Sequence, residues 1–63
     1  MNFPKNLREL RLDRGLTQET VAKAINVSQN TVCGWEKGVR EPDYDTLVRL
    51  ANYFGVSLEV LLL

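Results

Sequence analysis

Side chains able to make or break covalent bonds are scarce in this chain. It has no histidine and a single cysteine, Cys33. It has no glycine-rich loop that would cradle a phosphate, and its Asp and Glu residues are scattered without forming an acid–base couple. A lone thiol with no second cysteine and no histidine reads as a small filler, not as a redox or metal site. The composition therefore argues against an enzyme and implies no cofactor and no metal. What remains is hydrogen-bonding chemistry, and it is concentrated in one stretch. At about 100° per residue, Asn30, Cys33, Gly34 and Lys37 fall on one side of a helix, with Thr31 flanking them. Val32, Trp35 and Glu36 fall on the other side, which is suited to a core. The first side is nearly free of large apolar groups. Taken from the pattern alone, Gln29 and Asn30 at its start are either solvated amides or readers of another polar surface.

The elements that must position these residues are legible from caps and periodicity. Helix 1 begins near Pro4, a residue suited to a first helical turn, and carries an apolar stripe of Phe3, Leu7 and Leu10. Arg8, Glu9, Asp13 and Arg14 lie mostly outside, and Leu12 is off the stripe. Gly15 ends the helix and Leu16 packs back. Thr17 caps helix 2, whose buried face is expected from Val21, Ala24 and Ile25, with Ala22 allowing close helix contact. Asn26 takes a sharp, left-handed turn that few other non-glycine residues tolerate. Ser28 caps helix 3, which runs from Gln29 to about Lys37 and ends at Gly38. Gly34, within that helix, costs up to about 1 kcal/mol relative to alanine, so either something approaches its backbone or the position is tolerated. Asp43 caps helix 4, with Leu47, Leu50, Ala51 and Phe54 inward and Gly55 at its end. Ser57 caps a short helix 5, and at least one of Leu61, Leu62 and Leu63 closes the core. Helices 2 and 3, joined across a turn of a few residues over roughly 17–38, have the form of a helix-turn-helix, whose second helix enters the DNA major groove.

Length and charge bound the reading further. The 63 residues suffice for one all-α domain, and a body this small buries only about 60% of its unfolded surface. The apolar fraction is 44% and the charged fraction 25%, both ordinary for a folded soluble domain. One cysteine favours an intracellular, cytoplasmic setting over a disulfide framework. The start MNFPKNL is not a signal peptide, and no stretch approaches the roughly 18 apolar residues of a membrane span. Eight Lys+Arg balance eight Asp+Glu, which weakens the electrostatic signature of a nucleic-acid binder unless the charges segregate by face.

The ordered set of residues resembles the Cro/repressor-type (Xre-type) helix-turn-helix domain of phage and bacterial regulators. It comprises Leu7-x-x-Leu10-Arg11, Gly15-Leu16-Thr17-Gln18-Glu19-x-x-Ala22, Val27-Ser28-x-x-Thr31-Val32-x-x-Trp35-Glu36-x-Gly38, Pro42, Leu47-x-x-Leu50-Ala51 and Gly55-Val56-Ser57. The resemblance covers essentially all 63 residues and implies a compact five-helix bundle of the lambda-repressor-like type. It implies sequence-specific binding of double-stranded DNA in transcription regulation, as a repressor acting on a palindromic operator. Gln29 and Asn30 would touch base edges, since an amide matches the N6/N7 edge of adenine. Thr17, Gln18, Thr31, Lys37 and Arg40 would lie at the backbone or groove edge, with Gln18 and Arg40 on phosphates. Arg11 and Glu36 would form a structural ion pair between helices 1 and 3. A homodimer is expected, with Val56, Leu58 and Leu62 as the contact, and the leucine-rich ending is compatible with further chain downstream. Departures from the pattern are Asn26 in place of the usual turn glycine, Gly34, where relatives often carry a long polar side chain, and the acids Glu41, Asp43 and Asp45 after Arg40. A protein-interaction module keeping this fold, such as an antitoxin or adaptor, is the alternative these departures motivate.

Overall fold

In the computed structural model, residues 2–63 are described, and they form five α-helices: α1 (Phe3–Asp13), α2 (Gln18–Ile25), α3 (Gln29–Lys37), α4 (Tyr44–Phe54) and α5 (Leu58–Leu62). The four later helices start the same way. Thr17, Ser28, Asp43 and Ser57 hold extended backbone, and each side chain accepts a hydrogen bond from the N–H three residues on, at Thr20, Thr31, Thr46 and Val60. Each cap satisfies one donor that the first turn leaves unpaired.

The ends of α1 to α4 are equally uniform. A left-handed residue follows each helix, and the next N–H reaches back five residues: Leu16 to the Arg11 carbonyl, Val27 to Ala22, Val39 to Gly34 and Val56 to Ala51. This is the Schellman arrangement, and it reverses the chain within two residues. At the α2–α3 corner the left-handed residue is Asn26, with φ 66° and ψ 46°. The apolar residue after three of the four reversals then points home. Leu16, Val27 and Val56 pack on the core, whereas Val39 stays exposed.

One core joins all five helices: Phe3 and Leu7 of α1, Val21, Ala22 and Ile25 of α2, Val32 and Trp35 of α3, Leu50, Ala51 and Phe54 of α4, and Leu61 of α5. Leu61 is the terminal leucine that closes it, while Leu63 is exposed. Ala24, expected on the buried face of α2, faces solvent, and Ala22 takes that place. The reason is that α2 packs against both α3 and α4, which rotates its buried arc toward Ala22, one turn before Ile25. Leu12 is exposed as well.

Long polar side chains fasten helix ends that the core does not reach. Arg49 of α4 donates to the Ile25 carbonyl at the end of α2. Arg14 donates to the Phe54 carbonyl at the end of α4 (2.7 Å) and stacks its guanidinium 5.4 Å from the Phe54 ring centroid. The Asn6 amide donates to the Leu61 carbonyl (3.1 Å) and the Asn2 amide to that of Leu63 (3.3 Å). Last-turn carbonyls lack partners within their own helices, so each such bond satisfies an acceptor and joins two elements at once. Among the described residues no helix is long and apolar enough to cross a membrane.

The α4 cap makes stability sensitive to acid. Hydrogen bonds from Thr46 to the Asp43 carboxylate hold its pKa below the ordinary value of 3.8. A carboxylate depressed in the folded state contributes stability above its unfolded pKa and loses it as pH falls through the lower, folded value. Asp43→Asn keeps a capping oxygen but does not titrate. Acid unfolding followed by circular dichroism should therefore have a shallower limb for Asp43→Asn below about pH 4, while the two proteins keep the same helix content at neutral pH.

Candidate nucleic-acid interface

The turn at Asn26 and the cap at Ser28 set α3 across the molecule with one long side inward. Val32 and Trp35 are buried, and Glu36, the third inward residue, is the polar anchor. Its carboxylate receives Arg11 Nε at 2.7 Å on Oε2 and Arg11 Nη2 at 3.0 Å on Oε1. Arg11 Nη1 also donates to the Leu16 carbonyl (2.8 Å), and Gln18 Nε2 donates to Glu36 Oε1 (3.2 Å). The Arg11 and Glu36 side chains are only 11% and 5% exposed. A two-point guanidinium–carboxylate pair fixes orientation as well as distance. The hydrogen bond to Glu36 raises the Arg11 pKa, against desolvation that lowers it, with the charge of Glu36 adding to the rise.

The opposite side of α3 is open. Gln29 and Asn30 are exposed at its start, and among the described residues neither amide is used inside the chain. Thr31 is half-buried, with its hydroxyl 2.9 Å from that of Ser28. Lys37 is exposed, and it lines a groove with Arg8, Arg11, Gln18, Cys33 and Glu36. Gln18 therefore has one amide hydrogen committed to Glu36, leaving a second hydrogen and its carbonyl oxygen at the groove. Thr17 is exposed and occupied as the α2 cap, its hydroxyl also 2.9 Å from that of Thr20. Cys33 is a free, half-buried thiol in the groove. Arg40 folds back over Gly34, the residue that the wheel leaves bare. Val56, Leu58 and Leu62 are half-buried against the core, Leu62 in a pocket that Arg40 and Gly38 also line, and the more exposed apolar groups at that end are Val60 and Leu63.

Charge is partitioned by this arrangement. Arg11 is spent on Glu36, Arg14 and Arg49 on helix-end carbonyls, Lys5 on Glu9 and Lys23 on Glu19. The cations left without such a partner among the described residues are Arg8, Lys37 and Arg40, and each lies beside the outward side of α3. Arg8 is the residue that the sequence reading passed over as merely outside. The signal for it is spacing: Arg8 precedes Arg11 by three residues, so the two share the side of α1 that faces α3.

The chain matches the helix-turn-helix family model over residues 7–61. It is 41% identical over 56 residues to the cryptic phage CTXphi transcriptional repressor RstR of Vibrio cholerae, covering 89% of this chain and 50% of that protein. The crystal structure of a transcriptional regulator from Listeria innocua superposes with a TM-score of 0.89 at 37% identity, over 94% of this chain and 55% of the other. The restriction-modification controller protein C.AhdI of Aeromonas hydrophila gives a TM-score of 0.86 at 33% identity, over 95% of this chain and 87% of the other. The chain spans about half the length of the curated relatives it matches, at 50%, 49% and 52% of three of them.

The nearly buried pair predicts an asymmetry between breaking it and replacing it. Glu36→Ala leaves the Arg11 charge uncompensated and should cost about 3–5 kcal/mol, against a total stability of roughly 3–9 kcal/mol for a domain of this size. Chemical denaturation should find that variant largely unfolded. Arg11→Met combined with Glu36→Leu removes both charges and should recover most of the loss. A double variant no more stable than Glu36→Ala would show that shape, not charge, dominates at this contact.

Proposed function

The chain belongs to the Xre-type helix-turn-helix family, and from that membership we propose that it is a cytoplasmic, DNA-binding transcription regulator of the repressor type. In this reading it binds double-stranded DNA with α3 in the major groove. The observation that carries the reading is the outward side of α3. Two uncommitted amides, Gln29 and Asn30, stand at its exposed start, with Arg8 and Lys37 in the groove beside the helix and Arg40 over Gly34. The neutral total charge gives no bias toward a polyanion, so the reading rests on placement, with Arg8 and Lys37 in the groove beside α3.

The roles follow from chemistry. Gln29 and Asn30 present a donor and an acceptor together and read base edges, with adenine the matching partner. Arg8, Lys37 and the second amide hydrogen of Gln18 meet phosphates along the groove beside α3. Thr17, the α2 cap, and Thr31, in the first turn of α3 behind its cap Ser28, lie at the backbone by the N-termini of those helices, where oriented N–H groups favour an anion. One α3 corner reads few bases, so useful specificity calls for two copies on a palindromic operator, with half-sites roughly 34 Å apart. Val56, Leu58 and Leu62 are the proposed contact between those copies.

Selection from random duplexes tests this directly. A two-fold symmetric motif is expected, and recovery of no motif even at low salt removes the proposal. Asn30→Ala should change which bases are preferred. Arg8→Ala should leave the motif in place while reducing the slope of log affinity against log salt by about 0.9 for each copy bound, through the loss of one phosphate contact. An Arg8→Ala slope equal to that of the wild type would place Arg8 off the DNA.

A further inference from the structure

Gly34 lies on the side of α3 that has no core to join, yet it is buried. Its cover is Arg40. A Cβ built on Gly34 would stand 2.7 Å from Arg40 Cδ, 3.0 Å from Cγ and 3.3 Å from Nε, inside the roughly 3.5–4.0 Å at which non-bonded carbons rest. The backbone enforces the approach. Gly38 turns left-handed, and the N–H groups of Val39 and Arg40 both donate to the Gly34 carbonyl, at 3.0 and 3.2 Å. The stem of Arg40 then lies across the glycine, and the side chain also lines a shallow pocket with Thr31 of α3. Arg40 is exposed and, among the described residues, makes no ion pair.

Resting on the reading of α3 as the DNA-facing helix, we propose that Arg40 supplies from outside the helix the reading side chain that position 34 lacks. Arg40 meets a guanine in the major groove beside the bases met by Gln29 and Asn30. Gly34 is the positioning residue that makes room for its stem. The chemistry favours guanine: a planar guanidinium matches its O6 and N7 acceptors in a bidentate contact. The placement favours a base over a phosphate, because Gly34 follows Asn30 by four residues and so shares its face of α3. The glycine itself is accounted for, since a helix gives up propensity at this position and gains space for the arginine.

The test is duplex selection with the whole chain, alongside thermal unfolding. Arg40→Ala should erase a G·C preference of roughly ten- to a hundredfold at one position per half-site, while the preferences set by Asn30 persist. Arg40→Lys keeps the charge without the fork, so it should hold affinity at low salt and lose the same G·C position. Gly34→Ala should melt no lower than the wild type, since alanine favours the helix and the displaced group is a flexible side chain, yet it should lose that G·C position too. The double variant Gly34→Ala with Arg40→Ala should lose no more discrimination than Arg40→Ala alone. The proposal is overturned if Arg40→Ala weakens all sequences by one factor with the motif unchanged, which is the behaviour of a phosphate contact. It is overturned equally if folded Gly34→Ala selects the wild-type motif. A wild-type chain that selects no motif fails earlier, at the DNA-binding reading itself, and takes this assignment with it.

Discussion

The arrangement depends first on Glu36. It sits on the inward side of α3, where a carboxylate would be costly to desolvate without a partner, and Arg11 answers it with two hydrogen bonds from α1. The same guanidinium holds the Leu16 carbonyl in the α1–α2 corner, and the same carboxylate holds Gln18 at the start of α2. Three helices are thus referred to one buried pair. A pair of this kind adds little net stability over well-packed apolar groups. What it supplies is direction: apolar packing of Val32 and Trp35 tolerates some rotation of α3 about its axis, whereas a two-point ion pair does not. The rotation of α3 sets where Gln29 and Asn30 point.

A second consequence concerns charge. The chain is neutral overall, with eight cations and eight anions, and counted that way it has no bias toward a polyanion. The fold changes where those charges stand. Arg11, Arg14 and Arg49 are fastened to a carboxylate or to helix-end carbonyls within the protein, while Lys5 and Lys23 sit in exposed pairs worth little energetically. Arg8, Lys37 and Arg40 are what is left: Arg8 and Lys37 line one groove beside α3, and Arg40 lies over Gly34 next to Glu41 and Asp43. Net charge does not report where charge stands: an arginine bonded to a carbonyl keeps its charge, so what the fold supplies is position and not a surplus.

Much of this is legible in the sequence itself, for identifiable reasons. Caps are local: Thr17, Ser28, Asp43 and Ser57 each bond a backbone N–H three residues away, so sequence spacing suffices. The left-handed turn at Asn26 is equally local. Ala24 was misassigned because its burial depends on α4, an element twenty residues later, and no helical wheel of α2 contains that information. The destinations of Arg14, Arg49 and Arg40 escaped for the same reason. A long side chain reaches whatever tertiary structure brings near it, and Arg40 over Gly34 requires knowing that the chain reverses after Gly38 and returns along α3. The bare position at 34 was visible in the sequence, but what covers it was not.

That return of the chain matters for how α3 divides its labour. The helix is short, and its inward side is fully committed to Val32, Trp35 and Glu36. A long side chain grown from position 34 would carry the full rotamer entropy of a solvated stem into any complex. A stem laid down from Arg40 is already packed along part of its length, and its backbone is held by the Gly34 carbonyl. Less freedom remains to be lost on binding, so the same guanidinium is better prepared for a directional contact when it arrives from the loop than when it grows from the helix. The glycine, taken alone a defect in α3, is on this view the feature that lets the helix and the loop after it present one continuous surface.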